Sequence, residues 1–146
     1  MTKNVILFLL LFVPFIINGQ NYFQKYQELA DSLENEYCIP SSIILAVAYL
    51  ESGGGKSIVA KHSNNHFGIV GRNHKVKNTR YRYYESVTDS YIGFCKLITS
   101  KTFYHKVKNE DNVHKWLKHI SNSGYASGST TWVRKILIII DNNNLT

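Results

Sequence analysis

The stretch Ala46-Val47-Ala48-Tyr49-Leu50-Glu51-Ser52-Gly53-Gly54-Gly55-Lys56-Ser57 ends an apolar run on one carboxylate and follows it with three glycines. Ile43 to Leu50 has no charged residue, the pattern of a helix buried on most sides, and Pro40 suits a first helical position. The glycines must end that helix. A carboxylate there is desolvated by Ile43, Ile44, Leu45, Val47 and Leu50 and sits at the negative end of the helix dipole. Both effects raise its pKa. Glu51 is therefore expected to hold a proton near neutral pH, which is what a general acid requires.

Outward from this helix the chain reads as mainly α with a small β-lobe. Phe23, Tyr26, Leu29, Ala30, Leu33 and Tyr37 recur at three- and four-residue spacing and predict an amphipathic helix bracing the core. Ser57 to Lys61 fits one short turn. The segment Asn64-Asn65-His66-Phe67-Gly68-Ile69-Val70-Gly71 predicts a turn feeding a strand, and Val76 with alternating Tyr81 and Tyr83 predicts its partner. Ser86-Val87-Thr88-Asp89 resembles a capping box with aspartate for glutamate, opening a helix whose buried face is Tyr91, Phe94, Cys95 and Ile98. Further helices are expected over 112–121 and 131–142, joined by the loop Gly124-Tyr125-Ala126-Ser127-Gly128.

Residues 1–19 read as a secretory signal peptide: Lys3 supplies a positive start, Val5 to Ile17 an apolar run broken by Pro14, and Gly19 a small residue before Gln20. The run is shorter than the roughly 20 residues of a membrane span, so no stable span is expected after cleavage. Residues 20–146 then form a single domain. In an exported chain Cys38 and Cys95 are either one disulfide or two free thiols, and the sequence leaves both open. The formal net charge is +7, and Lys56, Lys61, Arg72, Lys75, Lys77, Arg80 and Arg82 occur with no acid between Glu51 and Glu85. Such a surface suits an anionic polymer; export excludes nucleic acid as the partner and leaves a cell-wall glycan with peptide carboxylates.

The six histidines do not suggest a metal: His114 and His119 are five apart, off the spacing of one helical face, with no acidic ligand nearby. No metal or other cofactor is expected. Cys95, on the apolar face of a helix, is a poor nucleophile.

The segments Leu50-Glu51-Ser52-Gly53, Gly55-Lys56-Ser57, Asn65, Phe67-Gly68-Ile69, Tyr81-Arg82-Tyr83-Tyr84-Glu85-Ser86 and Gly124-Tyr125-Ala126 with Trp132 occur in an order and spacing that resembles the glucosaminidase domains of glycoside hydrolase family 73. The resemblance runs from about Pro40 to the C-terminus. It implies a lysozyme-like α+β fold with a small β-lobe beside a cleft. It also implies a secreted or periplasmic, cell-wall-associated enzyme that cleaves the β-1,4 bond after N-acetylglucosamine in peptidoglycan strands. Glu51 matches the family's catalytic acid and Tyr125 the tyrosine of its Tyr-Ala-Thr segment, in which Ser127 departs from the usual threonine.

Glycoside cleavage requires protonating a poor leaving group while positive charge grows on the sugar, and Glu51 meets the first need. The second group is less defined. From Phe67 to Tyr84 there is no Asp or Glu, so Glu85 is the nearest candidate base, and its alternative is a structural role at the lobe junction. Without a lobe carboxylate, attack by the sugar's own 2-acetamido oxygen becomes attractive, with Tyr125 orienting the amide; an inverting route through Glu85 stays open. Asn65, Phe67 and Tyr84 are the expected substrate-binding residues, and Tyr81 and Tyr83 offer further rings. Ser52 and Ser57 are read as local ties. The competing functions are a muramidase or lytic transglycosylase on the same fold, or a catalytically weak glycan-binding domain.

Overall fold

The apolar run after Pro40 forms helix α2, Ser41–Ser52, in the computed structural model, which describes residues 17–126 and 129–145. Pro40 is the residue before the helix rather than its first; its carbonyl accepts from the N–H groups of Ile43 and Ile44. Ile43 through Ala48 are fully buried. Fully burying such side chains contributes about 1.5–3 kcal/mol for each large one, which makes α2 the axis of the core. Its first free N–H, on Ser41, is satisfied from outside: Glu34 accepts from it at 3.0 Å.

The helix stops at Gly53, whose φ of 58° is left-handed and whose N–H, with that of Gly54, returns to the carbonyls of Leu50 and Tyr49. Gly54 and Gly55 are left-handed as well. A Cβ on Gly54 would lie 3.0 Å from the Tyr49 ring. Three such residues in succession turn the chain sharply away from Glu51.

Helix α1, Ile17–Tyr37, packs along α2 and against α4, Val87–Thr99. The last three residues of the expected leader, 17–19, lie in α1; the rest of it falls outside the described residues. Among the described residues no helix is long and apolar enough to cross a membrane. The capping box opens α4: Ser86 Oγ accepts from the Asp89 N–H at 3.1 Å and donates to its carboxylate at 2.7 Å. Tyr91, Phe94, Cys95 and Ile98 are buried on its inner face.

Helices α6, Val113–Ile120, and α7, Thr130–Asn142, close the fold, with α7 packed on α2. Asn112 and Ser129 cap them through side-chain oxygens. Two short helices went unforeseen in kind: α3, Ile58–Ser63, where one turn was expected, and α5, Tyr104–Val107. Ser121–Tyr125, expected partly as loop, winds into a π-helical turn that ends through Gly124 at φ 88°. Ser127 falls outside the described residues.

Cys38 and Cys95 are free thiols, Cys38 exposed just after α1 and Cys95 sealed in the core. Burial pushes the Cys95 thiol up to about 12.

The expected β-lobe is not a sheet. Among the described residues its backbone pairing amounts to one antiparallel bridge, Val70 with Tyr81, and a few flanking bonds such as Arg82 N–H to the Ile69 carbonyl. Side-chain amides bond the carbonyls a longer ladder would use, sharing that of Ile69 with the Arg82 N–H. Asn65 Nδ2 donates to Ile69 and Arg82, both at 2.9 Å, and Asn73 Nδ2 donates to Tyr81 at 3.1 Å. Left-handed backbone at Gly68 and Asn78 further breaks the extended conformation.

Candidate active site

Glu51 sits half-buried one residue before the end of α2, on the wall of a cleft of about 570 Å³. Phe67, Gly68, Ile69 and Tyr81 of the irregular lobe line it too, together with Tyr125, and Arg80 and Lys101 supply basic lining. Trp132, on the first turn of α7, donates its indole N–H to Glu51 Oε1 at 2.8 Å. The other oxygen, Oε2, faces the Cα of Gly68, where an added Cβ would come within 3.8 Å. Gly68, at φ 64°, thus brings bare backbone up to Oε2.

Burial raises the Glu51 carboxyl above its ordinary value, and the Trp132 hydrogen bond, which favours the anion, offsets part of that rise. Among the described residues lining the cleft, Glu51 is the sole carboxylate.

Tyr125 lines the same cleft, held by edge-on contact with Phe94 and a tilted contact with Trp132, ring centres 5.7 and 5.8 Å apart. Its hydroxyl donates to the Phe67 carbonyl at 2.7 Å. With the proton committed there, the oxygen has only lone pairs left to offer. Burial first, then the nearby Glu51 and Tyr84, hold its pKa well above the usual phenol value, so it stays neutral.

The remaining expected residues are placed differently. Glu85 does not line the cleft; its side chain is 75% exposed and lies 3.7 Å from His74. It belongs to the lobe junction, where its carbonyl accepts from Asn64. Asn65 is 1% exposed and fully used: besides its two donated bonds, its Oδ1 accepts from the N–H groups of Phe67 and Ile69. It shapes the cleft wall from behind. Phe67 is buried, stacked on Phe94 at 4.4 Å, and Tyr84 is buried with its hydroxyl in the space left by Gly93. Of the candidate rings, Phe67, Tyr81 and Tyr125 line the cleft, while Tyr83 packs with His74 and beneath Lys75. Ser52 and Ser57 are ties: Ser52 bridges the Ala48 carbonyl and the Gly55 N–H, and Ser57 caps α3.

Trp132 was the residue whose role the chemistry of the sequence did not reveal. It stands 81 positions from Glu51, with no local pattern to pair them. Among the described residues no group of three or more His, Cys, Asp or Glu side chains converges on a point.

A family model for glucosaminidases, described as mannosyl-glycoprotein endo-beta-N-acetylglucosaminidase, matches residues 21–145. The chain belongs to the glucosaminidase family, glycoside hydrolase family 73. This glucosaminidase-family chain is thus a glycoside hydrolase. No curated protein sequence matches it. Among solved structures it is similar to the catalytic domain of the autolysin Auto from Listeria monocytogenes, at 21% identity and TM-score 0.73, over 89% of this chain and 86% of that one. The glycoside hydrolase domain of FlgJ from Salmonella typhimurium gives 22% identity and TM-score 0.67, over 86% and 88%. A peptidoglycan hydrolase from Sphingomonas sp. A1 gives 22% and 0.69, over 86% and 90%. At these identities the likeness is one of fold: mainly helical and lysozyme-like.

Proposed function

We propose that this glucosaminidase-family chain is an exported, cell-wall-directed peptidoglycan hydrolase that cleaves the β-1,4 bond after N-acetylglucosamine, with Glu51 as general acid. The observation that carries the reading is Glu51 itself: a half-buried carboxyl, the sole carboxylate on the cleft among the described residues, gripped at one oxygen by Trp132 and facing Gly68 with the other. An N–H can only donate, so Oε1 must accept and the acidic proton belongs on Oε2, the oxygen facing Gly68 and the cleft. Arg80 and Lys101 suit an anionic polymer, and residues 1–19 have the pattern of an export signal.

A single cleft carboxylate favours the substrate-assisted route. Glu51 protonates the leaving oxygen as the 2-acetamido oxygen of the same sugar bonds to the anomeric carbon, and the glycosidic C–O bond breaks. Tyr125, its own proton held by Phe67, accepts the acetamide N–H and orients the attacking oxygen. Glu51, now an anion, takes a proton from the water that opens the cyclic intermediate. The anomeric configuration is retained.

The test is mass spectrometry of borohydride-reduced products from peptidoglycan, with Glu51→Gln alongside. Reduced N-acetylglucosamine ends that vanish in the variant support the reading. Reduced muramic acid or anhydro ends would reassign the chain to a muramidase or lytic transglycosylase, and binding without cleavage to a glycan-binding domain.

A further inference from the structure

His66 and Phe67 are neighbours in sequence but face different cavities. Phe67, Val59 and Ser57 line the cleft, while His66, Ala60 and Lys56 line a second pocket of about 460 Å³ on the far side of helix α3. Three lysines stand on this pocket: Lys25 from α1, Lys56 from the glycine turn and Lys61 from α3. Among the described residues, ion pairs are confined to His74 with Glu85 and Lys115 with Glu110, so none of the three has a carboxylate within 4.0 Å.

The hydrogen-bond chain behind the pocket fixes what His66 presents to it. Tyr91 is fully buried, and its hydroxyl has one partner, the Tyr22 hydroxyl at 2.9 Å; Tyr22 in turn lies 2.8 Å from His66 Nδ1. If Tyr22 donated to Tyr91, the Tyr91 proton would be left buried without an acceptor, an unfavourable arrangement. Tyr91 therefore donates to Tyr22, and Tyr22 donates to Nδ1. The neutral imidazole then carries its hydrogen on Nε2. His66 is 3% exposed, and no other side chain bonds Nε2. The adjoining Cε1 edge lies against Gly55, where a Cβ would come within 3.3 Å; a larger residue there would crowd His66. The pocket is thus furnished with donors and cations: one fixed N–H and three ammonium groups.

We propose that this pocket is a carboxylate subsite that holds the peptide borne by the glycan strand while the sugars occupy the neighbouring cleft. The ligand class rests on the peptidoglycan reading above; the donor set itself does not. Lys25 also lies over the Tyr26 ring, 5.2 Å from its centre, which keeps its charge at the rim.

The test follows the His66 imidazole signal by NMR as an N-acetylmuramyl dipeptide ending in a free glutamate is added to the whole protein, against a neutral chitooligosaccharide as the cleft probe. The dipeptide is expected to shift His66, and a Lys25→Gln, Lys56→Gln, Lys61→Gln triple variant to weaken its binding about tenfold or more. The same variant should raise KM for peptide-bearing peptidoglycan with little change in kcat, leaving chitooligosaccharide binding unaltered. Unchanged dipeptide binding in the variant, or shifts confined to cleft residues such as Tyr81, would overturn the proposal. Failure of the wild type to cleave peptidoglycan would remove the hydrolase reading, while the His66 titration would still decide the subsite.

Discussion

Trp132 and Glu51, 81 residues apart, are joined by a 2.8 Å hydrogen bond from indole nitrogen to carboxylate oxygen. The bond opposes burial: one raises the Glu51 pKa and the other lowers it. It also chooses between the two oxygens of the acid, which burial alone does not do.

Replacing Trp132 with Phe removes a donor that favours the anion, so Glu51 keeps its proton to higher pH. The basic limb of the kcat/KM profile, which reports loss of the acid's proton, is expected to move upward. At the optimum, kcat/KM should fall about tenfold as the carboxyl loses its fixed orientation. A limb that stays in place or moves to lower pH would separate Trp132 from the acid's titration.

Glu51→Gln keeps an oxygen for Trp132 and loses the acidic proton. Turnover should drop about 10³-fold, within the usual range for general acids, with the thermal midpoint nearly unchanged. Reducing-end release and a thermal melt on the same sample measure the two effects. Residual activity near wild type would shift the chemistry to another group.

Tyr125→Phe removes both the tether to Phe67 and the acceptor offered to the substrate amide. A fall of about 10²-fold in kcat is expected against a loss of only about 1 kcal/mol in stability. A structural tyrosine would show the stability loss without the kinetic one.

Asn65→Ala should be a folding defect before it is a catalytic one. It deletes a buried amide that makes four hydrogen bonds to the backbone of Phe67, Ile69 and Arg82. A loss of about 3 kcal/mol is expected in urea unfolding. Local hydrogen exchange should rise between Gly68 and Arg82.

His66 sets an acid limit on stability. Burial first, with Lys25 adding repulsion, lowers its pKa from 6.5 to about 4. The unfolded chain therefore binds this proton more readily than the folded one. The stabilising contribution is whole above about pH 6.5 and is lost progressively as pH falls toward 4. The cost should be on the order of 1 kcal/mol near pH 5, allowing for solvent screening. His66→Gln should flatten the urea midpoint over that interval relative to wild type.

Local signals in the sequence carried most of the helical fold. The apolar run before Gly53 and the Ser86–Asp89 box act through neighbours one to four residues away, and both formed as read. The lobe was misread because alternating Tyr81 and Tyr83 imitate a strand, while the asparagines that replace its ladder look like ordinary turn residues. Asn65 bonding Arg82 is a contact across 17 residues, and Trp132 bonding Glu51 one across 81. Neither leaves a mark on local spacing. Glu51 stood out because its helix and its glycines are contiguous with it; between the two roles the sequence left open for Glu85, base or junction residue, its position off the cleft agrees with the junction.

The two thiols give the chain an internal gauge of its own integrity. Cys38 stands in solvent and Cys95 is closed in the core, its thiolate suppressed by burial. A maleimide dye should count one sulfhydryl on the native molecule and two on the denatured one. The slow appearance of the second label, at rising denaturant, would time each opening of the core without any engineered reporter, and Cys38 alone would carry a probe into binding experiments.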